Sequence, residues 1–178
     1  MIKTEPRNDG RTHFGIDTEE ARCIIESKKY CDYQGWKFPK VRSKKGAMVT
    51  DGKDCTFDEY VTDEDGETIP GLWCKGVVTI GRRVVIERLT LMLLKHANDD
   101  SDSGRVVQLD VKVPLPKHGP TDQNWPHVHI GTSVENLLLL NVKKFKIDLR
   151  EMVKLFEQKS GIEFRPPIKE VDDFALEN

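Results

Sequence analysis

The chain has no long apolar run: none exceeds four residues, as at Leu137 to Leu140, whereas a membrane-spanning helix needs about 20. A transmembrane helix is therefore excluded by the sequence, and the polar opening Met1-Ile2-Lys3-Thr4-Glu5-Pro6 lacks the apolar core of a secretory signal. Excess charge of one sign is missing too, since 28 Lys and Arg stand against 30 Asp and Glu. Nucleic acid is then not held by bulk positive charge, and any such binding needs a local patch. Cysteines are few and form no Cys-x-x-Cys pair. Cys23, Cys31, Cys55 and Cys74 are expected as free thiols in a soluble, cytoplasmic protein without a membrane partner. Internal repeats and low-complexity blocks are also absent. The length, 178 residues, fits one domain spanning 1–178, with a short flexible N-terminus (1–12) and a loose acidic C-terminal tail (169–178).

Two helices are marked by their caps. Asp17 stands three residues before Glu20, with Ala21, Ile24 and Ile25 following at helical spacing and Lys28 and Lys29 where the helix dipole favours cations. Asp148 and Glu151 repeat the capping pattern, Leu149, Met152, Val153 and Phe156 form one stripe, and Ser160-Gly161 supplies the stop. The second helix is expected over 148–159. Between them lie strand and turn signals: Asp51-Gly52, Asp65-Gly66, then Val-, Leu- and Ile-rich segments Leu72 to Ile80, Arg83 to Leu94 and Arg105 to Val113. The second of these also suits a buried helix, with strand the preferred reading. A further strand is expected at His127 and another around Leu137 to Leu140. The fold class that results is α+β: a mostly antiparallel sheet with an N-terminal and a C-terminal helix packed on it.

The segment Trp125-Pro126-His127-Val128-His129-Ile130-Gly131 concentrates the chemistry. Side chains alternate along a strand, so His127 and His129 share one face while Val128 and Ile130 take the other. Imidazoles titrate near neutrality and suit general acid and base roles. His118, in Pro116-Lys117-His118-Gly119-Pro120, is expected to fold back over the strand as a third imidazole, with Lys117 or Arg105 neutralising a phosphate. His127 and His129 equally suit a divalent transition metal, with Asp122 as the carboxylate candidate. An edge strand showing two histidines to solvent, with no chemistry, is the plain alternative.

A second candidate surface is the mixture of Tyr33, Trp36, Lys37, Lys40, Arg42, Lys44 and Lys45, residue types that hold phosphates and stack bases. The acidic turn Asp63-Glu64-Asp65-Gly66 resembles a calcium loop, but with Gly66 at the turn position the first and twelfth ligands would be Val61 and Leu72, which excludes it.

From Arg105 to Leu155 the order Leu109-Asp110, Pro116-Lys117-His118-Gly119-Pro120, Pro126-His127-Val128-His129-Ile130 and an amphipathic helix resembles small bacterial and phage proteins with a Pro-His-x-His-Ile strand. More distantly it is similar to the TumE-type toxins of toxin-antitoxin modules, whose His-x-His-Ile-Gly segment matches His127, His129, Ile130 and Gly131. What the resemblance implies is an RNA-cleaving toxin or a phage-related accessory protein on an α+β scaffold. Two functions follow. One is a metal-independent ribonuclease with catalytic His127, His129, His118, Lys117 and Arg105, acting on RNA and held by a cognate antitoxin. The other is a non-catalytic binding protein, such as a phage-related inhibitor, immunity protein or adaptor, that recognises a host protein through its acidic hairpin and aromatics.

Overall fold

The computed structural model describes residues 4–6, 12–37, 53–81, 85–96, 103–137 and 145–168. In chain order these form β1 (Thr4–Pro6), β2 (Thr12–Phe14), α1 (Thr18–Glu26), β3 (Lys29–Cys31), β4 (Lys53–Thr62), β5 (Thr68–Ile80), β6 (Ile86–His96), β7 (Ser103–Lys112), β8 (His127–Ile130), β9 (Ser133–Asn136), α2 (Leu149–Ser160) and β10 (Ile162–Phe164). Eight strands make one sheet in the order β10-β3-β4-β5-β6-β7-β8-β9, and β1 pairs with β2 apart from it. Among the strand pairs of the described residues, β10 with β3 is parallel and the others are antiparallel. Neighbours in sequence are mostly neighbours in the sheet, because short turns can close only antiparallel pairs. Asp63 shows how: its carboxylate accepts from the backbone N–H groups of Asp65 and Glu67, and Gly66 takes the positive φ of 82° that the turn between β4 and β5 requires.

Alternation sorts the central strands into two faces. On one face Cys55, Phe57 and Val61, then Leu72, Cys74 and Val78, Leu89, Leu91 and Leu93, and Val107, Leu109 and Val111 are buried together. Ala21 of α1 and Met152, Val153 and Phe156 of α2 belong to the same apolar cluster. Within the segment expected over Arg83 to Leu94, the described residues from Ile86 onward form the strand β6, with Leu89, Leu91 and Leu93 in the apolar cluster and Thr90, Met92 and Leu94 buried on its other side. The opposite face of β6 and β7 carries Arg88, Thr90 and Met92 beside Lys112, Asp110 and Gln108. That stripe borders the candidate site.

The helix caps form as their residues dictate. Asp17 accepts from the N–H groups of Glu19 and Glu20, Asp148 from that of Glu151, and Gly161 closes α2 in the left-handed region at φ 69°. Lys28 and Lys29 do not lie within α1, which ends at Glu26 with Ser27 as its C-cap. Lys29 is nevertheless the cation that ends it. Fully buried at the start of β3, its ammonium donates to the carbonyl oxygens of Ile24 and Ser27, and to that of Ile25 at 3.4 Å.

Burial pushes the Lys29 ammonium down from 10.5 to about 8. Between those values the unfolded chain holds more protons than the folded one, so the contribution to stability rises with pH. The expected gain between about pH 7 and about pH 10 is on the order of 2 kcal/mol. Urea titrations of the wild type and of Lys29→Met at both pH values check it: the wild type should gain on the variant as pH rises. A constant or shrinking difference would contradict it.

Candidate active site

The cleft is built around β8, and the chain reaches β8 through a clamped loop. Trp125, buried, donates its indole N–H to the Leu137 carbonyl at 2.9 Å, and the Leu137 N–H returns to the Pro126 carbonyl at 2.9 Å. Asn136 holds the far side of the loop by donating to the Pro120 carbonyl at 2.7 Å. Pro120 to Asn124 therefore stand as a wall beside the sheet, and the floor is the polar face of β7, β8 and β9. Together they enclose an open cleft of about 650 Å³.

His127 and His129 meet on that floor, their ring centroids 4.6 Å apart and nearly perpendicular. The strand alternation does what the sequence implies: Val128 is buried on the opposite, apolar side. His129 is buried at 2% exposure, while the His127 side chain keeps 16%. Across the β7 and β8 register Asp110 stands opposite His127, and its Oδ2 lies 3.8 Å from His127 Nε2. The carboxylate is held by Thr90 Oγ1, which donates to Oδ1 at 2.7 Å, and by Gln108 Nε2, which donates to Oδ2.

The tautomer of His127 follows from one contact. Its Nδ1 is 2.5 Å from the Trp125 carbonyl, which can only accept, so Nδ1 carries the hydrogen. In the neutral ring the lone pair is then on Nε2, aimed at Asp110. A carbonyl fixing the far nitrogen while the near one faces the cleft is the arrangement that prepares an imidazole as a base or as a metal ligand.

Arg105 reaches the cleft through an irregularity. Leu93 pairs with Val107 but Leu94 pairs with Arg105, so Val106 is an extra residue in β7. Unbroken alternation from buried Val107 would put Arg105 on the apolar face; the bulge turns it into the cleft lining instead. It is only 4% exposed and donates from Nη2 to the Gly131 carbonyl at 3.3 Å, anchoring the end of β8. The more accessible cations of the cleft are Arg88 and Lys112, which face each other across β6 and β7.

No protein-family model, curated protein or solved structure matches this chain. Its site is therefore read from its own geometry. Of the five residues expected to be catalytic, His127, His129 and Arg105 come together, while His118 and Lys117 are exposed and do not line the cleft. His118 instead begins a short turn of 3₁₀ helix, its carbonyl accepting from Thr121. Asp122 lines the cleft, but its carboxylate accepts from the Asn124 N–H at 2.8 Å and closes the loop turn; the carboxylate beside the imidazoles is that of Asp110.

Of the basic and aromatic surface, Tyr33, Trp36 and Lys37 lie among the described residues. Tyr33 and Trp36 are buried, packed edge-on against Phe57 with centroids 5.4 and 5.0 Å away, so their faces are occupied by the core rather than offered to bases. Lys37 is exposed and pairs with Glu59 at 3.8 Å. Lys40, Arg42, Lys44 and Lys45 lie outside the described residues, as do the Asp51-Gly52 turn, Leu138 to Leu140 and the acidic tail. Among the described residues no disulfide forms, Cys31, Cys55 and Cys74 being buried thiols, and no helix is long and apolar enough to cross a membrane. Sequence reasoning missed the parts played by Asp110, Gln108, Thr90, Arg88 and Lys112. Their one signal is polar residues at alternate positions of otherwise apolar strands.

Proposed function

We propose that this chain is a small RNA-cleaving enzyme whose reactive centre is the cluster of Asp110, His127 and His129. The observation that carries the reading is the convergence of two imidazoles and a carboxylate on the floor of an open cleft whose accessible cations are Arg88 and Lys112. Such cations hold a phosphodiester while the cluster removes the proton of its neighbouring hydroxyl. The 2′-oxygen to phosphorus bond forms as the bond from phosphorus to the 5′-oxygen breaks. In a metal-independent form the 2′ proton goes to Nε2 of His127 and the 5′-oxygen takes one from water. The rings, 4.6 Å apart, leave no room for a phosphate between them, so acid and base do not flank the reacting phosphorus as an opposed histidine pair.

The scaffold is read as a single α+β domain with its N-terminal and C-terminal helices packed on the sheet. The likeness of the His127 to Gly131 segment to TumE-type toxins extends the proposal to cytoplasmic RNA as substrate and a cognate antitoxin as partner. A second reading, a binding protein without catalysis, is favoured by one observation: Tyr60 is 73% exposed on β4, just before the acidic turn of Asp63, Glu64, Asp65 and Glu67.

Digestion of total RNA by the purified chain tests the proposal. Cleavage that follows the folded chain through successive columns, with products ending in cyclic phosphate, is the expected result. A folded chain that leaves RNA intact with and without added divalent metal overturns the enzyme and leaves the binding protein.

A further inference from the structure

We infer that Asp110, His127 and His129 form a binding site for one divalent transition-metal ion. The inference goes beyond the RNA-cleaving reading and does not depend on it, because it concerns what the cluster binds rather than what it cuts. One ligand atom from each residue can be chosen so that all three lie within 4.8 Å of one another. Two ligands each about 2.1 Å from one ion stand about 3.4 Å apart at the tetrahedral angle and about 4.2 Å apart in line. The 3.8 Å between His127 Nε2 and Asp110 Oδ2 falls inside that interval. It is also too long for a hydrogen bond, whose N to O distance is about 2.7 to 3.2 Å.

The contacts behind the donor atoms point the same way. With its hydrogen on Nδ1, donated to the Trp125 carbonyl, His127 presents Nε2 to the Asp110 carboxylate across 3.8 Å. Asp110 cannot swing away, since Thr90 and Gln108 hold its two oxygens. Metal-ligating imidazoles and carboxylates are fixed by this kind of outer hydrogen bond, which sets both direction and basicity.

Donor chemistry gives the class of ion. Two imidazole nitrogens and one carboxylate oxygen suit zinc, manganese, iron, cobalt or nickel in the divalent state and disfavour calcium and magnesium, which prefer all-oxygen shells. Three protein ligands on a cleft floor leave the remaining positions open to water or to a phosphate oxygen, as in catalytic rather than structural sites. A hydroxide on such an ion takes the proton-accepting part that bare Nε2 would otherwise play.

Cobalt(II) is the probe, added to tag-free, full-length protein stripped with chelator. The wild type is expected to take up one ion per chain with visible absorption. Asp110→Asn and His127→Gln should weaken uptake by at least about a hundredfold, and Thr90→Val, which removes only an outer hydrogen bond, by about tenfold. His118→Ala, exposed and outside the cleft, should bind as the wild type does. No uptake at millimolar cobalt, or uptake that persists in folded Asp110→Asn and His127→Gln, overturns the inference. Should those variants fail to fold, electron paramagnetic resonance of the copper(II)-loaded wild type decides: coupling to two imidazole nitrogens supports the site, and coupling to fewer refutes it. Because the readout is uptake, failure to cleave RNA leaves it unaffected.

Discussion

Replacing His127 and His129 together by alanine is expected to lower RNA cleavage at least about a thousandfold, to the level of solvent hydrolysis in the bound state. A single positioned proton-transfer group contributes about a hundredfold to ten-thousandfold, and groups that act as a unit are lost as a unit. The double variant should therefore be little worse than His127→Ala alone. Asp110→Asn should fall nearly as far, because the amide keeps the shape of the carboxylate but removes the charge 3.8 Å from Nε2. His118→Ala and Lys117→Ala separate this geometry from the one the sequence suggests. Both side chains are exposed outside the cleft lining, so each variant should keep activity within about twofold. Rates are best compared on a short oligonucleotide, with circular dichroism confirming that each variant is folded. Activity surviving in the double variant would remove the cluster from the mechanism, and a large loss in His118→Ala would show the loop closing over the strand when RNA binds.

What the sequence reveals and what it hides divides by the range of the interaction. The side-by-side histidines are legible because a strand has a period of two, a purely local rule. The caps at Asp17, Asp148 and Gly161 are legible for the same reason. Asp110 is conspicuous only as a polar residue between Leu109 and Val111; its meeting with His127 depends on the register of two strands joined by a loop of more than a dozen residues. The part of Arg105 is hidden further, since alternation alone assigns it to the wrong face and only the extra residue Val106 reverses that. Tyr33 and Trp36 mislead in the other direction. Cations follow them in sequence, yet the rings belong to an aromatic cluster with Phe57 and Phe164, and proximity along the chain says nothing about which side of a side chain is covered. The last strand of the sheet illustrates the same limit. It is formed by exposed Ser133, Val134, Glu135 and Asn136, which offer no apolar alternation to read, because an edge strand with no buried face carries no apolar pattern.

The position on which most of this geometry converges carries no side chain, and Gly131→Ala is expected to destabilise the protein by about 3 kcal/mol or more. Gly131 ends β8 at φ 54°, a conformation that already disfavours alanine. Steric conflict adds to it: a Cβ there would lie 2.7 Å from the Ile16 carbonyl oxygen, 2.9 Å from the Thr18 Cα and 3.1 Å from the Asp17 carbonyl oxygen. All three are backbone atoms at the capped start of α1, which cannot rotate away as a flexible side chain would. Gly131 also donates its N–H to the Val106 carbonyl at 2.8 Å, and its carbonyl accepts from Arg105. Moving it therefore disturbs the helix cap, the bulge and the end of the histidine strand at once. For a chain of this size each kcal/mol lowers Tm by about 2 to 4 °C, so a fall of roughly 6 to 12 °C is expected in a thermal melt. Gly66→Ala gives the comparison, because that glycine has a positive φ of 82° but nothing within 4 Å of the place a Cβ would take, leaving conformational strain without a clash. Equal losses at the two sites would mean that the close approach of α1 to the β8 turn contributes nothing. A loss at Gly131 that clearly exceeds the one at Gly66, with cleavage falling beside stability, would tie the helix cap to the alignment of His127 and His129.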